Sequence, residues 1–159
     1  MLDDLEVCIK DFVDRLSIPI MVKKLTNNAV IPTKAHFDDS GYDLYSSEEV
    51  VIDAGTRKLI HTGIVLKIPN GFEGCIRPRS ELSLHRGLTV LNSPGTIDSN
   101  YRGEIEVIIF NSGNEKFVIK PGYKIARIVF QQLTMVNFIE VDSMNNTDRG
   151  YGGFDSTSV

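Results

Sequence analysis

Gly95-Thr-Ile-Asp-Ser-Asn-Tyr-Arg-Gly-Glu-Ile-Glu-Val-Ile-Ile-Phe-Asn111 decides the fold class, because it joins two strand-forming arms through a bend that carries chemistry. Ser99-Asn100 suits a two-residue turn. Glu104 to Phe110 is β-branched, aromatic and free of breakers, so the stretch predicts a hairpin with one arm leading out and a buried strand leading back. Asp98 stands just before the bend and Tyr101 just after it. If such a hairpin splays at its tip, backbone N–H and C=O groups are left in need of partners. The edge of a pyrimidine ring offers alternating acceptors and donors that two short strands can match. Taken alone, the same residues also suit a surface turn with a solvated aspartate.

Outward from this stretch, short runs of strand-forming residues recur between turn residues. Strands are expected over 20–25, 50–52, 57–61, 64–68, 74–77, 89–91, 104–110, 117–119, 126–133 and 138–141. Asn27-Asn28, Asp53-Ala-Gly55, Pro69-Asn-Gly71, Asn111-Ser-Gly-Asn114 and Lys120-Pro-Gly122 punctuate them. Many short strands at near-regular spacing predict an all-β body, a jelly roll or distorted β-barrel. Before it, Leu2, Leu5, Ile9, Phe12, Val13 and Leu16 fall at helical spacing among charged residues, which predicts an amphipathic helix ended by Pro19. That helix could dock on its own body, on a neighbouring subunit or on a partner protein. The expected organisation is an N-terminal helical extension over 1–17, a β-domain over 18–145 and a flexible glycine-rich arm over 146–159.

A chain of 159 residues can bury a core without staples, and a net charge of −4 argues against a protein held on nucleic acid by bulk electrostatics. A phosphate partner must therefore meet a local cluster of cations and backbone amides, or a divalent cation. Cys8 and Cys75 are the only cysteines, in no metal-binding spacing, which favours a reducing compartment. With no apolar run long enough to span a membrane and an acidic start, the expected location is cytoplasmic.

Four further constellations fall in the expected loops. Ala35 to Ser46 includes Gly41, which permits a tight turn, and Asp43, which opens a strand and could cap the turn or serve a metal site. In Arg77-Pro-Arg-Ser-Glu-Leu-Ser-Leu-His-Arg-Gly87, Arg79 and Ser80 open a helical turn where N–H groups and a guanidinium can converge on an anion. Pro121-Gly-Tyr-Lys-Ile-Ala-Arg-Ile-Val129 is a turn feeding a buried strand. The tail from Asp148 cannot make a core, but Phe154 could stack on a ring while Arg149, Ser156 and Thr157 hold phosphate oxygens.

The ordered set Gly-Tyr-Asp-Leu-Tyr-Ser, Pro-Arg-Ser, Asn-Ser-Pro-Gly-Thr-Ile-Asp-Ser-Asn-Tyr-Arg-Gly, Pro-Gly-Tyr-Lys-Ile-Ala and Asp-Arg-Gly-Tyr-Gly-Gly-Phe resembles the five motifs of the trimeric deoxyuridine triphosphatases (dUTPases). The resemblance runs from about Ile18 to Thr157. It implies a jelly-roll subunit, a homotrimer with composite active sites, and Mg²⁺-assisted hydrolysis of dUTP to dUMP and pyrophosphate, with neither nucleic acid nor membrane as a partner. By the same resemblance Asp98 is the catalytic base, Tyr101 supports the sugar and excludes a ribose 2′-OH, and Asn92 acts on the base through an ordered water. Gly95, Thr96 and Ile97 belong to the hairpin that reads uracil. Arg79, Ser80, Arg149, Gly153, Phe154, Ser156 and Thr157 complete the substrate-binding set, and Asp43 holds a water of the magnesium shell.

Four departures from the family pattern stand out. Glu81 occupies a position usually held by Gly, Arg127 one usually held by Gln, Asn100 replaces a common aspartate in the turn, and Asp155 replaces a Gly in the arm. Two alternatives share the fold argument. A dCTP deaminase resembles several of these loops but carries a glutamate where this chain has Ile108. A nucleotide-sensing interaction protein would instead use the N-terminal helix to grip its partner.

Overall fold

The structure, a computed structural model, describes residues 17–153. The helix expected over 2–16 and the arm residues Phe154, Ser156 and Thr157 lie outside the described residues. In chain order the elements are β1 (Met21–Lys24), β2 (Tyr42–Tyr45), β3 (Val50–Ile52), β4 (Arg57–His61), β5 (Ile64–Lys67), β6 (Phe72–Arg77), α1 (Ser80–Arg86), β7 (Leu88–Val90), β8 (Gly95–Ile97), β9 (Glu106–Asn111), β10 (Phe117–Ile119) and β11 (Lys124–Gln132).

Every strand pairing is antiparallel. The strands form a four-stranded sheet in the order β2-β11-β6-β8, a three-stranded sheet β4-β9-β7, and the pairs β1-β5 and β3-β10. None of these sheets closes on itself, which corrects the expectation of a barrel. Seven of the eleven strands are only three or four residues long, too short to carry an unbroken ladder around a body. The core is filled mainly by isoleucine and leucine, including Leu44, Ile60, Ile64, Ile105, Ile109 and Ile128. β-Branched side chains suit the pleated surfaces of packed sheets. Along β9, buried Val107, Ile109 and Asn111 alternate with half-buried Glu106, Ile108 and Phe110, the period of two that sends alternate residues to opposite faces.

The deciding stretch folds differently from a simple hairpin. Its turn forms, with Tyr101 N–H donating to the Asp98 carbonyl at 3.1 Å. Its arms do not pair with each other: β8 joins β6 in one sheet, and β9 joins β4 and β7 in another. The expected strand at 138–141 is also absent, and Phe138, Ile139 and Val141 are exposed. This segment pairs with no strand among the described residues, and strand propensity alone does not build a ladder.

α1 extends the expected helical turn to seven residues. Glu81 in its first turn and His85 and Arg86 in its last complement the helix dipole, and Leu82 is buried. Gly87 ends it with φ of 66° and donates its N–H to the Leu82 carbonyl. A Cβ at Gly87 would come within 2.7 Å of the Gly113 backbone nitrogen, so glycine serves both the left-handed turn and the close approach. Among the described residues no helix is long and apolar enough to cross a membrane.

Candidate active site

The parting of β8 from β9 opens a slot of about 280 Å³ lined by Leu59, Asn92, Thr96, Ile97, Asp98, Tyr101, Glu104, Glu106 and Ile108. Asp98 is exposed, and its carboxylate has no hydrogen-bond partner among the described residues. Tyr101 is held at both ends: its backbone N–H closes the turn, and its hydroxyl donates to the Glu104 carbonyl at 3.0 Å. Its ring lies over Gly103, where a Cβ would fall on the ring atoms. The Asn92 amide lies over Gly95, with Nδ2 3.3 Å from where a Cβ would stand. Leu59 and Ile108 supply apolar wall.

A second cluster forms at the far edge of the four-stranded sheet. Asp43 is 1% exposed, yet three cations reach its carboxylate. Arg79 Nη1 and Arg127 Nε donate to Oδ1 at 2.9 and 3.3 Å, while Lys124 Nζ lies 2.8 Å from Oδ2. Arg127 faces Asp43 directly across β2 and β11. Simple alternation would put Lys124 and Arg127 on opposite faces of β11, but the register shifts between Lys124 and Ala126, setting Lys124 opposite Tyr45. This bulge brings both cations to the face that holds Asp43. The bond to Asp43 raises the Lys124 pKa above its ordinary value. Ser80 is exposed at the start of α1, and Glu81 Oε2 lies 3.5 Å from Arg79 Nη2.

The sequence-predicted residues thus fall into two groups. Asn92, Gly95, Thr96, Ile97, Asp98 and Tyr101 gather at the slot; Asp43, Arg79 and Ser80 gather near the cations. The slot shares no lining residue with the cavity formed by Arg79, Glu81, Leu82, Gly122, Tyr123 and Lys124. Since β2 and β8 are the two edges of the sheet, three strand spacings or roughly 14 Å separate them. Arg149 donates through Nε to the Gly152 carbonyl at 3.0 Å, and Gly153 is exposed. Lys124 was not singled out by sequence, because the bulge that aims it leaves no trace in the alternation.

A third group also escaped the sequence reading. His61 Nδ1 lies 3.0 Å from Glu104 Oε2 and 3.1 Å from Glu106 Oε1. The Glu104 bond, followed by the charges of Glu104, Glu48 and Glu106, raises the His61 pKa although partial burial opposes it. These donor atoms lie within 4.8 Å of one another, a spacing that a metal ion could bridge, but the ring nitrogen already serves both carboxylates.

A family model described as dUTPase matches residues 27–158. The chain is 50% identical over 140 residues to the deoxyuridine 5'-triphosphate nucleotidohydrolase of Clostridium kluyveri, covering 88% of this chain and 98% of that protein. It belongs to the dUTPase family. Its dUTPase relatives include the enzyme of Alkaliphilus metalliredigens, 49% identical over 140 residues and covering 88% of this chain and 97% of that one. Among solved structures, Staphylococcus bacteriophage 80alpha dUTPase with dUpNHpp superposes with a TM-score of 0.82 at 26% identity, covering 90% of this chain and all (100%) of that one. A phage phi11 dUTPase mutant, whose structure details the coordination of a structural Mg(II) ion, matches with a TM-score of 0.74 at 25% identity, covering 79% of this chain and 98% of that one.

Proposed function

We propose that the chain hydrolyses dUTP to dUMP and pyrophosphate, the slot between β8 and β9 taking the nucleoside and the Asp43 cluster of a second copy taking the phosphates. One observation carries this reading: a carboxylate without a partner among the described residues and a cluster of cations occur in one chain, in cavities that share no residue. Within the slot, Thr96 and Ile97 meet the base edge through their backbone, and Asn92 acts on the base through an ordered water. Leu59 and Ile108 leave little room for a methyl at the base's 5-position. The ring of Tyr101 underlies the sugar and excludes a 2′-OH.

Asp98 orients a water and takes its proton as the water oxygen bonds to the α-phosphorus. The bond from that phosphorus to the oxygen bridging to the β-phosphorus breaks, and pyrophosphate leaves with the electron pair. Arg79, Ser80 and Lys124 meet charge on the phosphate oxygens, so positioning and electrostatics supply most of the assistance.

The residues present fit magnesium only through water. A carboxylate has about four lone-pair sites. Asp43 spends two on Oδ1 and one on Oδ2, leaving one for a water of a hydrated ion. When bound on the triphosphate, Mg²⁺ would supply charge neutralisation at the phosphate oxygens.

Met135, Val136, Phe138 and Ile139 are 88, 67, 94 and 76% exposed, an apolar strip that calls for cover by another copy. We take the assembly to be a trimer of distorted jelly-roll subunits. Its arm, residues 146–159, closes over bound nucleotide through Arg149, Gly153, Phe154, Ser156 and Thr157.

Pyrophosphate release from dUTP, dTTP, dCTP and UTP in parallel, with and without Mg²⁺, tests base, sugar and metal together. Release from dUTP alone, dependent on Mg²⁺, is expected; equal release from all four would sink the slot assignment. Asp98→Asn and Arg79→Gln subunits, each inactive, should regain part of the activity when unfolded together and refolded as a mixture. No recovery would place both groups in one chain's site.

A further inference from the structure

His61, Glu104 and Glu106 take no step in the proposed chemistry, yet strand pairing sets them together. His61 closes β4 directly opposite Glu106 on β9, and Glu104 lies two residues before Glu106. Ile60 and Thr62, which flank the histidine, are buried, as is Ile105 between the two glutamates. Alternate residues of extended chain face opposite ways, so burying these three turns His61, Glu104 and Glu106 outward on one side.

Their donor atoms converge. His61 Nδ1 lies 3.0 Å from Glu104 Oε2 and 3.1 Å from Glu106 Oε1, and all three atoms fall within 4.8 Å of one another. A single ring N–H can point squarely at one carboxylate, not at two, whereas a divalent cation can bond all three atoms at once. Zinc takes imidazole nitrogen and carboxylate oxygen at about 2.0 to 2.2 Å, which sets the donors of a four-coordinate shell about 3.3 Å apart. The distances from Nδ1 to the two oxygens are already close to that spacing.

The frame behind these atoms is fixed in the way that metal ligands are usually fixed. Glu104 Oε1 accepts the Gly63 N–H at 2.7 Å, which leaves Oε2 for the ring, and the His61 backbone N–H donates to Glu48 Oε1 at 2.9 Å. The histidine side chain is also 45% exposed, which gives an ion a way in and water a place beside it.

We infer that His61, Glu104 and Glu106 bind one divalent cation of the zinc class through Nδ1, Oε2 and Oε1, with water completing the shell. The imidazole nitrogen disfavours magnesium, which takes oxygen ligands. The site is therefore distinct from a hydrated magnesium on the triphosphate, and it depends on no assignment of the nucleotide. It also borders the slot: the Tyr101 hydroxyl donates to the Glu104 carbonyl at 3.0 Å, so the ion anchors the residue on which Tyr101 leans.

The test is titration of Co²⁺ into the full-length protein at mildly alkaline pH with Mg²⁺ in excess, read by visible absorption, beside equilibrium dialysis of Zn²⁺. One ion per chain should bind without a sulfur-to-cobalt charge-transfer band. His61→Gln, Glu104→Gln and Glu106→Gln should each weaken binding at least about tenfold, the lower end of what disturbing a metal's surroundings costs. Asp98→Asn, which alters the slot's other carboxylate, should leave it within about twofold. Thermal unfolding of each variant before metal is added separates a lost ligand from a lost fold. A readout free of variants is the NMR spectrum of the parent, where Co²⁺ should broaden the His61 ring signals first. A parent that binds no ion, a thiolate band, broadening confined to His36 or His85, or binding that Asp98→Asn abolishes and His61→Gln does not would each overturn the inference.

Discussion

Asp98 sits exposed in the slot with its carboxylate unpaired among the described residues, whereas Asp43, at the opposite edge of the four-stranded sheet, is buried and held by three cations. In the proposed mechanism the same side chain serves as a reagent in one place and as framework in the other, and the surroundings decide which. A carboxylate with spare lone pairs facing a cavity can accept a proton from water. One whose oxygens are largely committed to Arg79, Lys124 and Arg127 positions those cations and compensates their charge. Strand pairing creates both conditions: β8 and β9 part to expose the first, and β2 lies against β11 to enclose the second.

Replacing the two aspartates in turn should break this symmetry in opposite ways. Asp98→Asn keeps the shape of the slot, so dUTP binding should stay nearly intact while kcat falls about 10²-fold or more, roughly 2.7 kcal/mol in the barrier. Single-turnover kinetics beside equilibrium binding would show the split. An unchanged kcat would remove Asp98 from the chemistry. Asp43→Ala should damage stability as well as turnover, because three cations lose a buried partner. The loss should be about 2 kcal/mol, below the range for a fully buried ion pair because the Lys124 and Arg127 side chains are 40 and 42% exposed. Denaturant unfolding of the two variants side by side should show Asp43→Ala shifted and Asp98→Asn unmoved.

The contrast also marks what a sequence can disclose. The bend at Ser99-Asn100 and the alternation of β9 are local, and the structure contains both. The ordered motifs placed Asp98, Tyr101, Asn92 and Arg79 in candidate roles, and the structure gathers them into two cavities. What escaped is non-local. Asp43 meets Arg79 and Arg127 across sequence separations of 36 and 84 residues. Lys124 reaches Asp43 only because a bulge overrides the period of two. The hairpin arms diverge because each finds a different neighbour, and 138–141 pairs with no strand among the described residues.

Within the slot, Gly103→Ala would sharpen the account of sugar selection by striking the one residue held at both ends. The added Cβ would land on the Tyr101 ring and force it off its seat. A displacement of this kind should lower kcat/KM for dUTP roughly tenfold and narrow the preference for dUTP over UTP. Competition between the two nucleotides measures that ratio directly. A variant as selective as the parent would show that some other group excludes the ribose.

The smallest effect belongs to His61, which lies between the slot's own carboxylates, Glu104 and Glu106. Its pKa is raised because Glu104 accepts a hydrogen bond from the ring, so the folded protein holds the imidazole proton more tightly than the unfolded chain does. The resulting stabilisation is fully present below the ordinary histidine value of about 6.5 and is lost as pH rises through the higher folded value. With the side chain 45% exposed, solvent screening should hold the increment to about half a kcal/mol or less. Comparing unfolding midpoints of the parent and His61→Gln at intervals from slightly acidic to mildly alkaline pH should show a shallow decline that the variant lacks. A parent whose stability instead rose through that window would mean that His61 enters the fold as neutral imidazole. Something other than its charge would then have to offset the repulsion between Glu104 and Glu106.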